Sequence, residues 1–474
     1  MNIKEQVMKK GFISLLYWML KDPENRTLQI MDKVDAHFGD KPDTFERQRW
    51  WVRHVLEDKD SPMHEFVMEL LKNTDADILV TFFVNFFFNA SLLGNKLRKE
   101  AQEKYHCNIP WAILLDPTSA CNLRCTGCWA ADYGHKLNLS YEELDSIIEQ
   151  GKELGVHFYI FTGGEPTVRK DDIFKLCEKH SDCEFLAFTN GTLIDEEFAD
   201  KMLKVKNFVP AISIEGFEEA TDSRRGEGVY QRVQKAMQIM KNKRLAFGNS
   251  CCYTSANYKS ITSEEFIDSL IDAGSRFVWF FHYMPVGKDA PPELLPTAEQ
   301  REYVINQLRS IRGHKKSFLM DFQNDGEFVN GCIAGGKEYF HINANGDCEP
   351  CVFIHYSNAN IREKSLIEVL QSPIFMAYHD NQPFNDNHFR PCPMLENPEN
   401  IVKMVHETAA RSTDLEAPEP VEDLYEKTRP YADQWTDRAN ELWEENLVQK
   451  KADRERVDKL IEVDKAARKA HKSR

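Results

Sequence analysis

Cys121, Cys125 and Cys128 place three thiols within eight residues, inside DPTSACNLRCTGCWA from Asp116 to Ala130. Thiols spaced this closely on a loop can share one metal centre. A four-iron cluster that serves only electron transfer takes four cysteines, so a compact triplet leaves one iron free to bind a small molecule. Three cysteines with His135 as a fourth ligand would also suit structural zinc. Farther along, Phe161-Thr162-Gly163-Gly164-Glu165-Pro166 follows an apolar run. Its glycines let backbone approach a ligand closely, and Glu165 supplies an acceptor for an amine.

Four more cysteines fall late in the chain: Cys332, Cys348 and Cys351 in Gly346-Asp-Cys-Glu-Pro-Cys, and Cys392 in Arg-Pro-Cys-Pro. Four thiols would fill either a second cubane or a tetrahedral zinc site. The remaining five, Cys107, Cys177, Cys183, Cys251 and Cys252, lack metal-like spacing, and core packing accounts for most of them. One of Cys251 and Cys252 should face inward, because successive strand residues point oppositely. Twelve cysteines in 474 residues are too few for a disulfide scaffold, and their clustering favours metal ligation in a reducing compartment such as the cytoplasm. A net charge of −16 argues against nucleic-acid binding, which needs a cationic footprint.

The elements that must position these groups can be read from hydrophobic periodicity. Strands are expected at Ala112–Leu115, His157–Phe161, Phe185–Phe188, Val209–Ile214, Phe247–Tyr253 and Phe277–Tyr283. Helical patterns intervene at Ser140–Leu154, Asp171–His180, Asp195–Val205, Tyr230–Asn242 and Ser263–Ala273. Six β/α units in series imply an α/β protein whose parallel sheet curls into a partial, TIM-like (β/α)6 barrel. Function in such barrels gathers where the strands end, and the cysteine triplet follows the first strand. His282 and Tyr283 close the last strand, where they could face a ligand or simply the core.

Residues 1–105 read as a helical amino-terminal region and residues 106–317 as the barrel. Residues 318–400 form a small cysteine-bearing domain, and 401–474 a charged helical tail, solvated from Glu441 onward. Lys9 and Lys10 precede an apolar run but no small-residue cleavage site follows, so an amphipathic helix is expected there rather than a signal peptide. The most apolar segment, Ile78 to Leu93, spans roughly 24 Å as a helix, short of a bilayer core. Asn85 and Asn89 share one of its faces, which favours a buried helix. Lys96, Arg98 and Lys99 follow and could meet lipid headgroups, so peripheral contact with a membrane surface is the alternative.

The order CxxxCxxC, then GGEP one β/α unit later, resembles the radical S-adenosylmethionine (SAM) superfamily over roughly residues 110 to 290. The resemblance implies a [4Fe-4S] cluster on Cys121, Cys125 and Cys128 whose open iron chelates SAM. Gly163, Gly164 and Glu165 would hold the methionine amino group. Reductive cleavage would give methionine and a 5′-deoxyadenosyl radical that takes hydrogen from an unactivated C–H bond. Position in the family pattern adds Ser213 and Glu215, at the end of the fourth strand, as ribose contacts, and Arg225 as a carboxylate-binding fork. Asn190 and Gly191 are a turn. No residue is assigned as a catalytic acid, base or hydrogen donor.

Cys332, Gly346 and Cys351, followed by Asn360 to Leu366 and Ser372 to Phe375, resemble the opening of the SPASM auxiliary-cluster domain. The dense later cysteines of full SPASM domains are missing, so one auxiliary [4Fe-4S] cluster on Cys332, Cys348, Cys351 and Cys392 is expected. Cys348 stands where that motif is usually apolar. The helical amino-terminal region does not read as the winged-helix peptide binder of many relatives, so a lipid or other apolar substrate is the first expectation. A maturase of a ribosomally made peptide is the second, and a non-catalytic iron–sulfur or zinc protein is the reading from another class. The family also implies a low-potential electron donor such as ferredoxin or flavodoxin.

Overall fold

The computed structural model describes residues 3–38, 45–287 and 289–472. Six strands alternate with helices as the periodicity requires: β1 Ala112–Leu115, β2 Phe158–Phe161, β3 Glu184–Thr189, β4 Phe208–Ser213, β5 Gly248–Tyr253 and β6 Phe277–His282. Each pairs in parallel with the next. The crossover helices include Tyr141–Glu153, Glu196–Val205 and Glu264–Ala273. All three start on caps visible in the sequence: Ser140 forms a capping box with Glu143, and Asp195 and Ser263 accept from Phe198 N and Phe266 N.

The sheet goes beyond the six expected strands. Strand β7, Phe318–Asp321, lies parallel beside β6, and β8, Tyr339–Ile342, lies parallel on the free side of β1. The two-residue β9, Cys348–Glu349, adds antiparallel to β8. The order is therefore β7-β6-β5-β4-β3-β2-β1-β8-β9. Strands β7 and β8 are not hydrogen bonded to each other, but the rings of Phe322 and Tyr339 meet between them at 6.1 Å. Residues beyond 317, read from sequence as a separate cysteine-bearing domain, thus supply two strands of the barrel. The first cysteine loop, after β1, is flanked by β2 on one side and β8 on the other.

The amino-terminal helices Ile3–Leu20, Pro23–Phe38, Glu46–Glu57 and Pro62–Asn73 share a core of their own, built on Leu16, Met19, Met31, Leu56, Met68 and Leu71. A 30-residue helical stretch follows, Ala76–Tyr105, with a π-helical middle from Phe83 to Leu93. By length and composition it could cross a membrane, yet its polar residues are inserted against the barrel. Asn85 Nδ2 donates to Cys183 O (2.9 Å), Asn89 Nδ2 to Asp182 O (2.9 Å) and Arg98 Nη1 to Gly155 O (2.9 Å). Phe86 stands edge-on to Trp111 and Phe158 at the amino ends of β1 and β2. The Phe-rich segment therefore closes the floor of the barrel.

The tail is helical as expected, one 52-residue helix, Val421–Lys472, mostly exposed from Glu441 onward, but the part before Glu441 packs into the core. Trp435 is fully buried beneath the guanidinium of Arg301, 4.4 Å from the ring centre. Arg301 also donates to Glu396 Oε1 (2.7 Å), Tyr431 Oη (3.0 Å) and Asn324 Oδ1 (2.8 Å). Farther on, the exposed part of the helix meets the amino-terminal helices through Arg47–Asp458 and Trp50–Asp464.

Candidate functional site

A cavity of about 250 Å³ runs through the barrel from the loops after the strands to Trp111 and Phe158 at its floor. Cys121, Cys125 and Cys128 line it, together with Gly163, Gly164 and Glu165. Ser213 at the end of β4 and Arg225 reach the same space. The lower wall is aromatic: Phe188, Trp279, Phe281 and Phe322 form a chain of ring contacts from β3 across β6 to the end of β7.

The two glycines are required by how the motifs pack. Gly164 N donates to Thr118 O (3.0 Å) and Glu165 N to Ala120 O (2.8 Å), which ties the glycine loop to the start of the cysteine loop. A Cβ on Gly164 would lie 2.3 Å from Ala120 O, and Gly163 has φ +101° with Thr118 O only 2.5 Å from its Cβ position. Glu165 is a hub beneath them. Its Oε1 accepts from Thr167 N (2.9 Å) and Thr189 Oγ1 (2.6 Å), and its Oε2 from Asn190 N (2.7 Å). Burial raises its carboxyl above the usual range, and these donors work against that rise. Four lone-pair sites on a carboxylate leave room on Oε2 for one more donor.

Burial likewise pushes the Cys121 thiol up to about 11 and raises Cys128, so each becomes a ligand only where a cation replaces its proton. Zinc at about 2.3 Å from each sulfur would draw thiols to within about 4 Å of one another. Among the described residues, only Asp145, Glu149 and His180 bring three metal-ligating atoms within 4.8 Å, on the outside of the barrel, where Lys179 already pairs with Asp145. His135, the fourth ligand that a zinc site would need, is exposed.

Glu215 departs from expectation. It is fully buried, does not line the cavity, and its Oε1 accepts from Arg224 Nη1 (2.7 Å) and Arg225 Nε (2.8 Å). Its role is to anchor two guanidiniums rather than to touch a ribose. Arg224, which sequence reasoning passed over, faces the cavity and donates to Thr126 O (3.2 Å) inside the cysteine loop. The Arg-Arg pair was the available signal. Asn190, read as a turn, also lines the cavity, and its side chain reaches Asn122 Oδ1 (2.8 Å) in the cysteine loop. Of the adjacent pair on β5, Cys252 faces the cavity and Cys251 is buried behind the strand. Tyr283 packs over Gly127 and lines the cavity, while His282 is held by Tyr431 Oη (2.8 Å) and Tyr283 O (2.6 Å).

A buried charge network supports the cysteine loop from behind. His341 of β8 lies 2.9 Å from Asp116 Oδ1 and 2.7 Å from Glu349 Oε2, and Thr162 Oγ1 donates to the same Asp116 oxygen (2.6 Å). Burial alone would depress His341, but Asp116 and Glu349 overcome it and raise the imidazole to about 10. Trp129, next to Cys128, stands edge-on to that ring. No cysteine spacing signals these residues.

Cys332, Cys351 and Cys392 line a second, smaller cavity of about 60 Å³. Cys348 does not join them. In the two-residue β9, Glu349 points to His341, so Cys348 points the other way, buried, with its thiol toward Gly346 O (3.7 Å). Met284, Phe322, Ile333, Tyr339 and Phe353 form a wall common to both cavities.

The radical SAM superfamily model matches residues 115–280, and the SPASM iron–sulfur cluster-binding domain model matches residues 332–394. The chain carries a radical SAM domain followed by a SPASM domain. Its fold is the partial barrel of that superfamily, and its cofactors are SAM and [4Fe-4S] clusters. Fe-coproporphyrin III synthase of Methanosarcina barkeri is 25% identical over 59% of this radical SAM chain and 79% of its own. The mycofactocin maturase of Mycolicibacterium smegmatis is 25% identical over 52% of this chain and 65% of its own. The crystal structure of Streptococcus suis SuiB bound to precursor peptide SuiA is 18% identical with a TM-score of 0.49, covering 64% of this chain and 80% of that one.

Proposed function

We propose that this radical SAM enzyme modifies a ribosomally made peptide by hydrogen-atom abstraction within the barrel cavity. The carrying observation is that Cys121, Cys125, Cys128, Gly163–Glu165, Ser213 and Arg225 all line one cavity. With a reduced cluster and SAM bound, such a site supplies a 5′-deoxyadenosyl radical able to break an unactivated C–H bond. The three cysteines hold the cluster. The glycine loop and Glu165 receive the methionine amine, Ser213 faces the ribose, and Arg225, whose Nε side is held by Glu215, offers its remaining Nη1 donors to the carboxylate. Arg224, clamped between Glu215 and Thr126 O, fixes the loop that carries Cys125 and Cys128. The aromatic wall below keeps water from the reacting centre. A low-potential protein such as a ferredoxin or flavodoxin would supply the electron.

The matches to mycofactocin maturase and to the cysteine-type anaerobic sulfatase-maturating enzyme of Clostridium novyi support this reading. A lipid substrate is the second reading, favoured by exposed Phe87, Leu92 and Leu97 beside Lys96 and Lys99, which would suit a membrane surface. The two separate in one experiment: reduced enzyme and SAM are incubated with a uniformly deuterated short peptide encoded beside the gene, or with deuterated membrane lipid. Deuterium reaching 5′-deoxyadenosine from the peptide supports the proposal, and transfer from lipid alone contradicts it. Iron content tests the ligands. About eight irons should fall to about four in C121A/C125A/C128A, and an unchanged count would remove the triplet from its role.

A further inference from the structure

We propose that Tyr339 and Tyr378 are hydrogen-bond donors to the second cluster, and that together they raise its reduction potential. The inference rests on the reading that Cys332, Cys351 and Cys392 hold an iron–sulfur cluster. Tyr339, on β8, places its hydroxyl 2.8 Å from Cys351 Sγ. Tyr378, on the helix Pro373–Asn381, is fully buried and lines the same cavity, yet its hydroxyl has no hydrogen-bond partner in the protein.

An unpaired buried hydroxyl is destabilising, and a phenylalanine would pack as well without that cost. The neighbouring chain is nevertheless shaped to this ring. Gly335, with φ +63°, leaves the space that Tyr378 fills, since a Cβ there would lie 2.3 Å from Tyr378 Cβ. Phe384 holds the opposite edge in a T-shaped contact. The hydroxyl is thus kept in place among three cysteines, where the acceptors that a cluster brings are sulfurs.

Both phenols are suited to donate rather than to ligate. Each phenol has one O–H to donate, and Tyr339 already aims its own at Cys351 Sγ. Hydrogen bonds to the sulfurs of a cluster stabilise its more negative, reduced form and so raise its potential. Tyr339 also forms part of the wall common to the two cavities, which puts the tuned cluster next to the substrate chamber.

The test uses the full chain carrying C121A/C125A/C128A, so that only the second cluster contributes, with redox titration followed by electron paramagnetic resonance. Y339F and Y378F should each retain about four irons. Each should shift the midpoint negative by about a tenfold change in the reduced-to-oxidised ratio, about 59 mV for one electron. Independently of any tyrosine substitution, proton hyperfine spectra of the reduced cluster should contain couplings that exchange in D2O. Unchanged midpoints with iron retained, or no exchangeable couplings, would overturn the proposal. Loss of iron in Y378F would also overturn it, by making Tyr378 a ligand. Zinc or no metal in the triple-variant parent would instead bring down the cluster reading on which it rests.

Discussion

At the scale of single residues, the site depends on close packing between two loops. A methyl group on Gly164 meets Ala120 O at 2.3 Å and Ser119 O at 2.5 Å, both backbone atoms that cannot rotate away. Gly164→Ala should therefore lower iron at the first site and abolish SAM binding together, read by iron analysis and calorimetry; full iron with normal SAM affinity would refute that coupling. Glu215→Ala leaves two buried guanidiniums without their carboxylate and should cost about 3–5 kcal/mol in denaturant unfolding. The cysteines and glycines were legible because their chemistry demands fixed types at fixed spacing. Glu215 was misread because a strand-end position does not reveal that two arginines, nine and ten residues later, fold back onto it. His341 adds a pH dependence. Its imidazole is raised to about 10 from an ordinary 6.5, so its contribution to stability is complete below about 6.5 and is lost as pH rises through 10. His341→Gln should flatten the stability–pH curve between those values.

At the scale of elements, the repeated β/α units made six strands readable almost to the residue, since apolar runs and capped amphipathic helices alternate without interruption. Strands β7 and β8 broke that rhythm. Each has only four residues, and Asp321 and His341 within them interrupt the apolar pattern. Asn85 and Asn89 mark the face of the Phe-rich helix that packs on the barrel, as their shared face suggested, but its place at the barrel floor depends on backbone acceptors at 181–183 that sequence spacing does not reveal. Asn89→Ala removes donors to Asp182 O and Asn85 Oδ1 and should destabilise the fold by roughly 1–3 kcal/mol in urea unfolding. An unchanged midpoint would mean that this helix is not anchored through its amides.

At the scale of the whole molecule, the last helix links the second cysteine site to the barrel. Arg301 joins Tyr431 and Trp435 to Glu396, whose Oε2 accepts from Cys392 N (2.7 Å). Exposure from Glu441 onward was legible in the charged composition, whereas the aromatic residues before it, Tyr431 and Trp435, make buried contacts that composition does not reveal. Trp435→Ala should cost about 3–5 kcal/mol and reduce iron at the second site while sparing the first. Cys121, Cys125 and Cys128 open on the cavity proposed for SAM cleavage, and that placement is the central claim. The measurement that tests it most directly is 5′-deoxyadenosine formation by anaerobically reconstituted, dithionite-reduced protein supplied with SAM. The account predicts 5′-deoxyadenosine from the parent chain and none from C125A; no 5′-deoxyadenosine from a parent carrying its full complement of iron, or equal amounts from both, would contradict it.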